Sequence, residues 1–214
     1  MFDRWTKSFW RKKFAAPYVH IVFGARQTGK STLIESVLPS QATRIDLSVP
    51  KVRAQYLNRP DDLLMLCRSL PRREGGGWVF VDEAQSVPAL FDAVQHLYDS
   101  DKKRWRFILC GSSARKLRQT GANLLPGRRF LHRLFPLPLA ERPPNEPPVG
   151  FDASPPLTFV WPDRKGPSKP FPAADLITRL AYGELPGVVT ADKRHRVEIL
   201  HAYTQLHLEE EMRR

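Results

Sequence analysis

Cysteine is scarce in this chain: two residues in 214, Cys67 and Cys110, each inside an apolar stretch. Neither belongs to a C-x-x-C pair, and no histidine stands at metal-ligand spacing from them. That argues against a disulfide scaffold and a zinc site, and for two reduced, buried thiols in a cytoplasmic protein. Long apolar runs are missing as well. No stretch approaches the ~18 residues of a membrane span. The first residues, Met-Phe-Asp-Arg-Trp-Thr-Lys-Ser-Phe-Trp, lack the apolar core and small-residue cleavage site of a secretory signal. Acidic residues are outnumbered, 22 against 34 basic ones, so the net charge is +12. Such an excess favours polyanionic partners: nucleic acid, an anionic membrane surface, or nucleotide phosphates. The cations are dispersed in small clusters and no long basic run exists. A plain basic surface and a nucleic-acid-binding one therefore remain alternatives.

What is present is an alternation of apolar runs and helical patterns. Residues 18–23, Tyr-Val-His-Ile-Val-Phe, read as a strand stopped by Gly24. Ser-Thr-Leu-Ile-Glu-Ser-Val-Leu follows Lys30 at helical spacing and ends at Pro39. A weaker strand is expected at 43–47, and a helix at 61–70 with Asp61 as its cap. Trp78–Asp82 and 105–110 are continuous apolar runs, as strands buried on both faces of a parallel sheet should be. Pro88 opens a helix through Tyr98, a helix begins near Ala114, and 129–134 forms a last strand. This pattern predicts an α/β fold, a three-layer sandwich with a mostly parallel sheet. In the N-terminal segment 1–17, Phe2, Trp5, Phe9 and Trp10 fall near helical spacing among basic residues. A helix packed on the next domain and a membrane-surface helix both fit, the first better.

The composition changes after residue 135. Positions 136–172 hold 12 of the 20 prolines, which predicts an extended linker or irregular loop. Residues 173–214 return to helix, interrupted at 183–186. The expected organisation is an N-terminal helix at 1–17, an α/β domain at 18–140, a proline-rich linker at 141–172, and at 173–214 the helical start of a further domain, read as incomplete.

Four segments carry chemistry. Gly24-Ala25-Arg26-Gln27-Thr28-Gly29-Lys30-Ser31 matches G-x-x-x-x-G-K-[ST] at every fixed position, between a strand and a helix. The glycines let backbone N–H groups turn toward phosphate oxygens, and the helix N-terminus faces the same anion. Lys30 is expected to reach the β- and γ-phosphates of ATP, Ser31 to ligate Mg²⁺, and Thr32 to add a further hydrogen bond. The run 78–83 ends in Asp82-Glu83. Asp82 would hold Mg²⁺ through its water shell and Glu83 would polarise the attacking water. Ser112 or Ser113, after the strand 105–110, can touch the γ-phosphate or that water, or cap the following helix. Arg128, in Gly127-Arg128-Arg129, is a candidate arginine finger, in cis or across a subunit interface, or else a surface cation. Gln85 and Arg26 are lesser candidates for contact with water or phosphate.

As a set, Gly24–Leu33, Val81–Gln85 with Val87-Pro88, Gly111–Leu117, Gly127-Arg128 and Phe135–Glu141 resemble a known family. It comprises predicted bacterial and archaeal ATPases of the AAA superfamily, which pair an N-terminal ATPase module with an uncharacterised C-terminal domain. The likeness covers roughly residues 1–141. It implies an ATPase fold with Lys30, Ser31, Asp82 and Glu83 in their usual roles, Ser112 or Ser113 as sensor, and Arg128 as the family's Gly-Arg arginine. The expected activity is hydrolysis of Mg-ATP, with oligomerisation possible. The alternatives are a nucleotide-gated module that binds nucleic acid or protein with little turnover, and a small-molecule kinase. No N-K-x-D segment is found that would read guanine.

Overall fold

A computed structural model describes residues 6–72, 74–112, 127–138 and 173–207, together with residues 2, 4, 125 and 141. The chain divides into two compact units, Thr6–Phe135 on one side and Met1–Trp5 with Pro136–Arg214 on the other.

The first unit is built on five parallel strands: β1 (Val19–Phe23), β2 (Thr43–Asp46), β3 (Gly77–Asp82), β4 (Trp105–Gly111) and β5 (Arg129–Arg133), in the order β2-β3-β4-β1-β5. The fold is the three-layer α/β sandwich of the P-loop nucleoside triphosphatases. The continuous apolar runs become the inner strands because both faces of a parallel sheet are covered by helices. Alternate residues feed two cores. Val19, Ile21, Val79, Val81, Phe107 and Leu109 pack on one face with α4 (Asp62–Ser69) and α5 (Leu90–Ser100). Val22, Phe80, Ile108 and Cys110 pack on the other with α1 (Thr6–Phe14) and α2 (Lys30–Glu35).

Several local readings change. Helix α1 packs through Trp10 and Phe14, while Phe9 is exposed, so the buried stripe is offset from the expected one. Helix α3 (Pro50–Asn58) has no counterpart in the sequence reading; only Tyr56 is buried on it, so no apolar face announces it. Asp61 precedes α4, yet it is already helical and its side chain makes no capping bond. The helix near Ala114, Ser113, and the proline-rich stretch beyond Glu141 lie outside the described residues. In the second unit, helices Ala173–Tyr182, Pro186–Thr190 and Arg196–His207 are separated at Gly183–Leu185 and Ala191–His195. Glu141 and Glu184 of that unit are engaged by Arg4 at 2.7 Å and Arg179 at 3.5 Å.

Candidate active site

In a parallel sheet the C-terminal strand ends share one edge, and ligands of open α/β sheets bind there. Register brings three of them together. Phe23 at the end of β1 lies opposite Gly111 of β4, and Val81 of β3 opposite Leu109. Gly24, Ser112 and the Asp82-Glu83 pair therefore leave the sheet side by side.

The loop 24–29 owes its shape to specific positions. Gly29 has φ +84°, open to glycine at no steric cost, and stands just before α2. At Gly24 a Cβ would collide with the Leu134 carbonyl oxygen, so the loop passes the exit of β5 with no room for a side chain. Thr28 is fully buried and its Oγ1 donates to the Ala25 carbonyl at 2.9 Å, closing the loop from inside. The Lys30 ammonium donates to the Gly24 and Ala25 carbonyls, both at 2.8 Å. It lies 6% exposed, and burial lowers its pKa against the opposing pull of Cys110, Glu83 and Asp82. Ser31 is half-buried at the start of α2, while Arg26, Gln27 and Thr32 are exposed around the loop.

Across from the loop, Asp82 accepts the Glu83 N–H at 2.9 Å. The Cys110 thiol is buried beside Asp82, and burial holds that thiol well above its ordinary pKa. Glu83 itself is left-handed at φ +52°, a conformation that costs a non-glycine residue about 1–3 kcal/mol. It turns the chain out of β3 into the turn Ala84–Ser86 and brings Gln85 back beneath it. The Gln85 amide nitrogen donates to a Glu83 carboxylate oxygen and to Ser112 Oγ, the latter at 3.2 Å. Gln85 is 4% exposed, and its Oε1 has no partner among the described residues. That oxygen occupies the space of a side chain at Gly111, where a Cβ would be 2.5 Å away.

Lys30, Asp82, Glu83, Gln85 and Ser112 thus form one constellation. Arg128 does not join it. Arg129 pairs with Val19, and Gly24 follows Val19 by five residues, about 17 Å along the sheet at a rise of about 3.3 Å per residue. Arg128 lies at the opposite edge, where its Nε donates to Asp99 at 2.6 Å. Finger action toward this chain's own loop is ruled out by that placement. Gln85, a lesser candidate in the sequence, is brought to the centre of the constellation; a polar residue two positions beyond Glu83 was its one signal. Cys110 carried no signal beyond its apolar neighbours.

The donor set fits Mg²⁺ carried by a nucleotide. A hydroxyl and one carboxylate are hard oxygen ligands, and Mg²⁺ takes its remaining ligands from phosphates and water. Among the described residues no group of three or more His, Cys, Asp or Glu could hold a metal ion by itself.

A family model described as "AAA domain" matches residues 16–142. Among solved structures, the Walker-type ATPase PABY2304 of Pyrococcus abyssi is similar at 19% identity and TM-score 0.43, over 64% of this chain and 54% of that one. The structure of C. elegans PCH-2 is similar at 15% identity and TM-score 0.41, over 66% and 45% respectively. The chain thus spans about half the length of these two structures. No curated protein matches.

Proposed function

This chain belongs to the AAA domain family, and from that premise we propose that it binds Mg-ATP at the loop 24–31 and hydrolyses it. The observation that supports this best is the placement of the Lys30 ammonium. It is buried in the concavity of the loop, facing the Asp82-Glu83 strand end, with only two backbone carbonyls as partners. Phosphate oxygens are stronger acceptors than those carbonyls. On nucleotide binding, Lys30 exchanges the carbonyls for β- and γ-phosphate oxygens, while the backbone of residues 24–29 supplies N–H donors. Ser31 and Asp82 would hold Mg²⁺, which supplies charge neutralisation on those phosphates.

Glu83 then takes a proton from the attacking water as the water oxygen bonds to the γ-phosphorus and the bond to the β-phosphate oxygen breaks, leaving ADP. Gln85 holds the carboxylate by one oxygen and leaves the other for the water. Ser112, on the same amide, senses the γ-phosphate. Arg128 acts on the nucleotide of a second copy, since its own site lies beyond reach. Residues 18–140 are the ATPase module in this reading, preceded by the helical segment 1–17 and followed by the linker 141–172 and the helices of 173–214. Two free, buried thiols fit a reducing, cytoplasmic setting. No helix among the described residues is long and apolar enough to cross a membrane.

Binding of a fluorescent ATP analogue tests the site. Lys30→Ala should weaken it at least about tenfold, the scale of one charge-assisted phosphate contact. Unchanged affinity in a folded Lys30→Ala variant would contradict the assignment.

A further inference from the structure

The edge of the sheet opposite the nucleotide loop carries a second cationic cavity. It has a volume of about 280 Å³ and lies where β3 and β4 begin, beside the Gly77–Trp105 pairing. Four cations line it, Arg72, Lys103, Arg104 and Arg106, against one carboxylate, Asp101. That carboxylate is already engaged: it accepts the Arg104 backbone N–H at 3.2 Å and stands 3.8 Å from Arg72.

Two of the guanidinium groups are fixed in place. Arg104 Nη2 donates to the Leu70 carbonyl at 3.0 Å, and its guanidinium lies 4.5 Å over the Trp105 ring. Arg106 Nε donates to the Ala15 carbonyl at 2.7 Å. Each keeps one buried nitrogen, Arg104 Nε and Arg106 Nη1, without a partner among the described residues. A buried charged donor left unpaired is costly, so this pair of orphans calls for an acceptor. Gly76 (φ +85°) leaves room for Arg106, since a Cβ there would overlap Arg106 Nη1, and Gly75 (φ +84°) stands in open space with nothing within 4 Å of such a Cβ. Arg106 as a whole is half-buried, and partial burial lowers its pKa.

Rigid guanidinium forks with free N–H groups match phosphate oxygens. A small open cavity suits one phosphate group with its ester arms projecting outward. The excess of +12 over the chain favours a phosphate that arrives on a polyanion. We propose that this cavity binds a backbone phosphate of a nucleic acid strand, at a site separate from the nucleotide loop.

The test is fluorescence anisotropy of a labelled single-stranded oligonucleotide against the full chain at several salt concentrations. The double variant Arg72→Glu/Lys103→Glu alters exposed side chains only; Arg72 is 80% exposed. It should bind more than about tenfold more weakly and with a shallower salt dependence. Lys51→Glu, an exposed charge reversal beside β2 at the other edge, is the control and should have a far smaller effect. A double variant that binds like the control, or a wild-type chain that binds no oligonucleotide, overturns the proposal. Pyrophosphate raises the melting temperature through either a small-anion pocket or the nucleotide loop. A rise lost in the double variant, without any oligonucleotide binding by the wild type, would assign the cavity to small anions and equally overturn it. None of these outcomes depends on whether Glu83 or Lys30 acts as assigned.

Discussion

Gln85 joins the two sides of the candidate site, since one amide group reaches both the Glu83 carboxylate and the Ser112 hydroxyl. Its orientation follows from chemistry: the NH₂ must face the carboxylate, which leaves Oε1 toward Gly111. Gly111 is therefore a residue whose missing side chain matters. Gly111→Ala brings a Cβ to 2.5 Å from that oxygen and must displace Gln85. Gln85→Leu removes the amide outright. Both variants should lower kcat of ATP hydrolysis by about ten- to a hundredfold while leaving nucleotide affinity within about twofold, the range for a lost positioning contact. Steady-state kinetics beside equilibrium binding separates the two quantities, and an equal loss in both would assign Gln85 to binding instead. At this scale the sequence was legible where spacing is rigid, as in 24–31 and 82–83. It was poorly legible at Gln85 and Cys110, because what they touch is set by the turn at Glu83 and by the register of β4 against β3.

Elements were legible in proportion to their burial. The inner strands stand out because both their faces are apolar; α3 does not, because it covers little of the core. One polar feature inside the sheet has its own consequence. His20 of β1 and His132 of β5 are buried and bonded Nδ1 to Nε2 at 3.0 Å, with His20 Nε2 against the Ala16 carbonyl at 3.2 Å. A carbonyl only accepts, so His20 is protonated on Nε2, and His132 donates to its bare Nδ1. Burial pulls both pKa values down from 6.5 to about 4, with the nearby Lys13 adding to the effect and, at His20, the Ala16 bond opposing it. The folded values lie below the unfolded ones, so the unfolded chain takes up protons first as pH falls. Stability from this pair is complete above about pH 7 and is lost between about pH 6.5 and 4. The loss is on the order of 3 kcal/mol per imidazole at about 1.4 kcal/mol per pH unit. Urea melts at pH 7 and pH 4.5 should show a drop that shrinks in His132→Phe. A drop of the same size in a folded variant would locate the acid sensitivity elsewhere.

At the scale of the molecule, the placement of Arg128 makes a statement about assembly. Its distance from the chain's own loop means that any contact with a γ-phosphate is made in another copy. Arg128→Ala and Glu83→Gln should each be nearly inactive alone. Mixed, they should regain phosphate release, because the Glu83 of one copy then meets the Arg128 of the other. No recovery on mixing under conditions where copies associate would leave Arg128 in the ion pair with Asp99 and without a role at a neighbouring nucleotide. The α/β class was legible from periodicity, and the family from the resemblance of the motif set to a known one. The relation between Arg128 and the loop was not, because strand direction and register appear only in three dimensions.

Hydrolysis by Glu83 is the centre of the account, and single-turnover phosphate release with bound Mg-ATP measures it most directly. Glu83→Gln preserves the size of the side chain and a carbonyl oxygen for Gln85, but not the basicity. The account predicts nucleotide affinity within about twofold of wild type and release slower by about a hundredfold or more, the scale of a general base. Release at the wild-type rate from Glu83→Gln would contradict it.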